Sequence, residues 1–277
     1  MKTMKHQMEE AIQEQLLSLN RSFYITVAAH FDQTRQGWTP GLARLLQWVP
    51  PVPADRPLRV ADVGCGNGRL AALLDTLGQP VEYTGVDGNA TLLARAQDRA
   101  ASLRHTRLHL IQADIARPDW TASLASSPGF DLVCCLATLQ HMPGYNLRQR
   151  VMRDLARLTA PTGRLVVSSW QFLASDRLVA RQLAWEQVGL TAADVETGDA
   201  LLPWRQGALA VRYVHQIDAA EMECLAQDAG LVMVDHFRSD GKEGNLNLYA
   251  LLVHRNAGHG GPANTPHTGT QSSAERP

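Results

Sequence analysis

Val60-Ala61-Asp62-Val63-Gly64-Cys65-Gly66-Asn67-Gly68-Arg69-Leu70 runs from an apolar strand through three closely spaced glycines into the start of a helix. Glycine takes the left-handed backbone that a tight turn needs, and it lets main-chain amides approach a ligand at a helix N-terminus. The segment therefore reads as a ligand cradle set at a strand end. A dinucleotide fingerprint would need a third glycine at position 69, where this chain has Arg69, so a pyrophosphate ligand fits poorly.

Outward from the turn, short apolar runs alternate with helical stretches. Candidate strands cover 58–63, 81–87, 108–112, 130–136 and 164–169. That alternation builds a doubly wound, mostly parallel α/β sheet. Strands at 231–237 and 246–254, joined by a hairpin loop and preceded by a helix at 218–229, bring the expected sheet to seven strands. Ahead of it, 9–17 reads as one helix, and Phe23, Val27 and Phe31 recur at helical spacing on a second. Pro50, Pro51, Pro53 and Pro57 then stiffen a linker. The expected organisation is a helical cap and linker over 1–57, a core domain over 58–255 and a flexible tail over 256–277, too polar and Gly-rich to bury a core. Within the core, 171–215 is too long for an ordinary connection and is expected to be an insertion facing the substrate.

Composition narrows the partners. The chain has 277 residues, 45% hydrophobic and 19% charged, enough for a sizeable core. Its formal charge of -1 does not advertise a polyanionic partner. Arg150, Arg153 and Arg157 nonetheless form a basic helical stripe that could touch phosphates or simply keep the helix wet. No run is long and apolar enough to span a bilayer, and the start lacks a secretory pattern, so a cytoplasmic protein without a membrane partner is expected. Cys65, Cys134, Cys135 and Cys224 show neither CxxC nor zinc spacing, so no metal is expected, and Cys134 and Cys135 read as core.

Two acids follow the cradle at the ends of the next strands, Asp87 and Asp114. Either alone reads as a turn or helix cap; together, on one sheet edge, they point to a ligand. With Gly64-x-Gly66-x-Gly68, this series over about 58–170 resembles the class I S-adenosylmethionine-dependent methyltransferases. The resemblance implies a Rossmann-like methyltransferase fold and S-adenosylmethionine as cofactor. It implies ribose hydroxyls on Asp87, adenine near Asp114 and Ile115, and a cofactor site completed by Arg35, Asp62, Gly64, Cys65, Gly66, Asn67, Gly88 and Leu136.

A narrower resemblance lies in Leu19-Asn20-Arg21-Ser22-Phe23-Tyr24, His30-Phe31-Asp32-Gln33-Thr34-Arg35, Trp38-Thr39-Pro40, Leu139-Gln140-His141, Ser169-Trp170-Gln171, Pro203-Trp204 and Arg212-Tyr213-Val214-His215. Their order is similar to that in the tRNA wobble-uridine carboxymethyl methyltransferases. It departs where Gln140 precedes His141, where Thr39 splits Trp38 from Pro40, and where Val214 follows Tyr213. The resemblance implies the carboxylate of 5-carboxymethyluridine as acceptor, tRNA as partner, and a conceivable small zinc-binding activator subunit. A carboxylate is already an anion at neutral pH, so positioning should outweigh general-base catalysis. Arg212, Tyr213 and His215 are the candidate acceptor-orienting groups, with Arg35 and Trp38 at the mouth of the site. His141 is a base for a hydroxyl or amine acceptor, or else a hydrogen-bonded wall. Two alternatives stay open: a small-molecule O- or N-methyltransferase, and an inactive adenosylmethionine-binding module.

Overall fold

The computed structural model of the chain describes residues 8–34, 37–124 and 129–255. Arg35 and the expected tail at 256–277 lie outside the described residues. The glycine turn follows β1 (Leu58–Val63), and β2 (Val81–Asp87), β3 (Thr106–Gln112), β4 (Phe130–Leu136) and β5 (Thr159–Trp170) join β1 in parallel. β9 (Asn247–His254) pairs antiparallel with β5, and β8 (Leu231–Ser239) antiparallel with β9, giving a seven-stranded sheet ordered β3-β2-β1-β4-β5-β9-β8. The chain order reverses between β1 and β4, which opens a crevice at their C-terminal ends.

The central strands are rich in apolar residues on both sides because both sheet faces are covered. On one face α5 (Tyr145–Leu158) and α7 (Ala219–Asp228) bury Val151, Leu155, Met222 and Leu225 against Val63, Val133 and Val167. On the other, α2 (Pro40–Arg44) with the following Leu45 and Trp48, and α3 (Arg69–Asp75), pack on Val60, Leu132 and Val166. α4 (Ala90–Ala100) starts at Asn89, whose side chain caps Leu92 N.

Two parts differ from expectation. The cap is one 24-residue helix, α1 (Glu10–Gln33), rather than two. No Gly or Pro interrupts it, and the Asn20 amide, instead of turning back on its own helix, accepts from Tyr213 N at 2.8 Å and donates to His141 O at 3.2 Å. The insertion carries a short helix, α6 (Asp176–Val179), and its own two-stranded sheet, β6 (Asp199–Trp204) and β7 (Ala210–His215). Leu201 and Tyr213 pack on Leu16 of α1, while Ala200, Leu202 and Val214 pack on Phe172. Burial on both faces erases the alternation that would have marked these strands, and Pro203 hides the first further. Among the described residues no helix is long and apolar enough to cross a membrane.

Arg148 of α5, 1% exposed, ties the insertion to the core. Its guanidinium donates to Glu196 Oε2 at 2.7 Å, Glu221 Oε1 at 2.9 Å and Met142 O at 3.1 Å. Removing this cation strands two carboxylates with little water, which costs about 3–5 kcal/mol. Arg148→Met is expected to lower the unfolding free energy by that amount in guanidinium titrations; an unchanged midpoint would show that the pair contributes nothing net.

Candidate active site

The cradle is built by backbone strain that only glycine bears easily. Gly64, Gly66 and Gly68 have φ of +79°, +53° and +71°. A Cβ on Gly64 would collide with the Thr138 side chain, and one on Gly68 would meet Ala96 Cβ at 3.0 Å, whereas at Gly66 it would meet nothing within 4 Å. Gly64 and Gly68 thus permit close packing, and Gly66 lines open space. Gly64 N and Cys65 N donate to Val86 O at 2.7 and 3.0 Å, and Gly66 N donates to Asp87 Oδ2 at 2.8 Å. Asp87 Oδ1 accepts from Asn89 N at 2.8 Å, so one carboxylate fixes both the glycine turn and the loop into α4. Burial raises the Asp87 pKa, against the two backbone bonds that lower it. Asp62, beneath the turn, accepts from the Tyr83 hydroxyl at 2.5 Å and is pushed up to about 7, chiefly by burial.

These residues bound a cleft of about 740 Å³, a size that holds a small molecule. Asp62, Gly64, Cys65, Gly66, Asn67, Asp87, Gly88, Asp114, Ile115 and Leu136 all line it. α1 forms its roof. Arg21 donates to Asp114 Oδ2 at 3.0 Å and pairs with Glu14 at 2.7 Å, while Asn67 donates to Asp32 Oδ1 at 2.7 Å. Asp114 Oδ1 also accepts from Ala116 N at 2.9 Å. Sequence reasoning gave no role to Asn20, Arg21, Tyr24 or Asp32. The available signal was Leu17, Asn20, Arg21 and Tyr24 recurring on one helical face, polar groups where an ordinary core stripe would be apolar.

His141 is buried at the far wall. Its Nδ1 lies 3.1 Å from Tyr213 O, which can only accept, so Nδ1 carries the proton. Nε2 is then the acceptor, and the Tyr24 hydroxyl donates to it at 3.0 Å. Burial, reinforced by the Arg212 charge, lowers the imidazole pKa to about 4. His141 is a neutral wall whose lone pair already faces a phenol.

The three residues expected to orient the acceptor are divided by the two-residue period of β7. Arg212 points into the cleft, its guanidinium carbon 4.2 Å from the Trp170 ring centre, 5.1 Å from Phe23 and 5.9 Å from Trp204. Tyr213 and His215 point the other way, correcting the expectation that they face the acceptor. The Tyr213 hydroxyl donates to Asp199 Oδ1 at 2.7 Å, and His215 places Nδ1 2.6 Å from the same oxygen and Nε2 2.9 Å from Glu221 Oε2. Burial opposes the charged imidazole, but those two carboxylates raise its pKa overall. Glu196, Asp199 and His215 lie close enough to hold a metal, yet their atoms already meet Arg148, Tyr213 and one another. Trp38 is 48% exposed and outside the cleft wall. In the basic stripe, Arg150 donates to Ala116 O and Arg117 O, and Arg157 pairs with Asp154.

The sequence profile of the methyltransferase domain family matches residues 54–211, more than half of the chain. The chain belongs to the methyltransferase domain family. With its sheet order, it is a class I S-adenosylmethionine-dependent methyltransferase domain, and S-adenosylmethionine is its cofactor. A trans-aconitate 2-methyltransferase of Escherichia coli is 30% identical over 139 residues, 49% of this chain and 49% of that protein. The chain thus matches about half the length of that relative. In fold it is similar to the CcbJ methyltransferase of Streptomyces caelestis, at a TM-score of 0.57 and 20% identity over 83% of this chain and 96% of that one. It is also similar to magnesium protoporphyrin IX methyltransferase of Synechocystis with bound SAH, at a TM-score of 0.57 and 18% identity over 86% and 99%.

The neutral imidazole makes a pH prediction. His141 titrates near 4 in the fold and near 6.5 when unfolded. As pH falls through this window the unfolded chain takes up a proton that the fold refuses, so stability is lost, on the order of 3 kcal/mol. His141→Gln removes that site and is expected to lose less stability than the parent between pH 6.5 and 4; identical pH slopes in urea titrations would contradict a neutral His141.

Proposed function

We propose that this chain methylates the carboxylate of an organic acid to give its methyl ester. The observation that carries this reading is Arg212, a buried guanidinium held by aromatic rings against the wall of the cofactor cleft, next to a histidine unable to act as a base. S-adenosylmethionine supplies an electrophilic methyl on a sulfonium and leaves as a neutral thioether. Within the cleft, the open side of Gly66 gives the room such a cofactor needs, the remaining lone pairs of Asp87 suit ribose hydroxyls, and Asp114 with Ile115 suits adenine. Asp62 is assigned to the amino-acid end, where a carboxylate complements an ammonium.

A carboxylate acceptor matches the rest of the wall. Its oxygen lone pair forms the new O–CH3 bond as the C–S bond breaks towards sulfur, and no proton moves. An amine or phenol would have to shed one, yet the His141 lone pair is engaged by Tyr24. The Cys134 and Cys135 thiols are raised by burial, Cys135 to about 12, and offer no thiolate. Arg212 would hold one carboxylate oxygen and leave the other to attack, in a site whose walls keep water away. The relatives named for trans-aconitate, itself a carboxylic acid, support the same class.

The test is mass spectrometry of methyl esters after incubation with S-adenosylmethionine and a panel of carboxylic acids, with tRNA bearing unesterified carboxymethyluridine as a second acceptor. Arg212→Ala is expected to lower kcat/KM by about 30-fold or more, the cost of stripping a partner from a buried charge pair, while calorimetry gives unchanged cofactor affinity. Asp87→Ala is expected to weaken cofactor binding instead. The rate should stay nearly flat from about pH 6 to 9, because the acceptor is ionised throughout. A rate rising with a single ionisation, in a product stable to mild alkali, would remove the ester reading.

A further inference from the structure

We infer that Arg21 is a specificity-determining positioning residue, which fixes the Asp114 carboxylate in the orientation that reads the adenine amino group of the cofactor; this rests on the adenine assignment of Asp114 above. Both residues line the cofactor cleft, Arg21 from α1 and Asp114 from the turn after β3, ninety-three residues further along the chain. Arg21 donates from Nε to Asp114 Oδ2 at 3.0 Å and from Nη1 to Glu14 Oε1 at 2.7 Å. Glu14 sits seven residues earlier on the same face of α1. It holds the guanidinium from one side while Asp114 takes it on the other.

Among the described residues the Asp114 carboxylate takes two hydrogen bonds, one on each oxygen: Oδ2 from Arg21, and Oδ1 from Ala116 N at 2.9 Å. A carboxylate offers about four acceptor positions, so each oxygen keeps a lone pair for a further donor. The exocyclic amine of adenine is such a donor. An oxo group in its place would set one acceptor against another. The Ala116 bond comes from the turn that carries Asp114 and pins one oxygen only. The bond from Arg21 supplies the second point, which sets the plane of the carboxylate. Without it, a side chain 36% exposed has one anchor, and water is the alternative partner of its other oxygen.

The surroundings of the pair suit a purine. Leu17, one turn before Arg21 on α1, belongs with Ile115 and Met142 to one buried cluster, and all three line the cleft. α1 and the turn after β3 thus bring apolar side chains together with a charge pair beside them. An apolar wall edged by a carboxylate matches an uncharged ring that carries one amine. The ion pair is 39% exposed on the arginine and 36% on the aspartate, where such pairs contribute little to stability. Its place on the cleft wall therefore matters for what it positions more than for folding.

The experiment is calorimetry on the full chain, titrated with S-adenosylhomocysteine and with S-inosylhomocysteine, which carries an oxo group where adenine has its amine. The parent is expected to favour the adenosyl compound by at least about 30-fold. Arg21→Ala is expected to cut that affinity ratio by about fivefold or more, with a urea midpoint close to the parent's. Asp114→Ala is expected to abolish the preference, and Arg21→Ala added to it to change the ratio no further, as for a residue that acts through its partner. Arg21→Met keeps a long side chain on α1 without a donor; it is expected to behave as the alanine variant does, and it decides the matter should that variant fail to fold. An unchanged ratio in the Arg21 variants beside a lost one in Asp114→Ala overturns the inference and leaves the adenine assignment standing, as does a further change of the ratio in the double variant. An unchanged ratio in Asp114→Ala, or a parent that binds the two compounds alike, overturns both.

Discussion

No side chain fits at Gly64, and the site hangs on that fact. The Thr138 side chain occupies the volume where a Cβ would be. The loop after β4 can therefore close on the loop after β1, at the point where strand order reverses. Thr138 precedes the short turn 139–141, so the same close approach positions the His141 wall. Ala137, just before it, bears a φ of +51°, and its N–H is held by Ser168 O at 2.9 Å. A non-glycine residue in that region stores strain that its surroundings must over-determine, and this one lines the cleft.

The legible and illegible parts of the sequence divide by what each signal measures. The strands at 58–63, 81–87 and 130–136 coincide with β1, β2 and β4, because short apolar-rich segments bounded by turn residues mark strands of a covered sheet. The glycine spacing and the two acids were visible because their chemistry is local to strand ends. β6 and β7 were not, since tertiary burial on both faces leaves no local period. Nor does a sequence reveal that α1 roofs the cleft, because Tyr24 and Arg21 meet His141 and Asp114 across more than ninety residues of chain.

Arg212 shows why a buried cation suits this chemistry when its neighbours are rings. Aromatic faces favour a buried guanidinium through their quadrupoles while carrying no net charge themselves. The Trp170, Phe23 and Trp204 surroundings thus hold the group in place at the cleft wall. The neutral His141 follows first from its burial and then from the field of Arg212, since a second cation beside that guanidinium in a buried wall would be repelled.

The residues that looked like a single constellation, Arg212, Tyr213 and His215, serve two purposes because a strand has two faces. One face of β7 supplies the cleft with Arg212. The other anchors the strand, with Tyr213 and His215 converging on Asp199, His215 reaching Glu221, and Glu221 in turn held by Arg148. A slip of one residue in the β6–β7 register would exchange the faces, breaking the bonds of Tyr213 and His215 to Asp199 and Glu221 and turning the guanidinium away from the cleft. Those buried charges therefore act on the chemistry without touching the cleft, by making the alternative register expensive. Acceptor recognition by one arginine depends on an ionic network on the opposite side of the same strand.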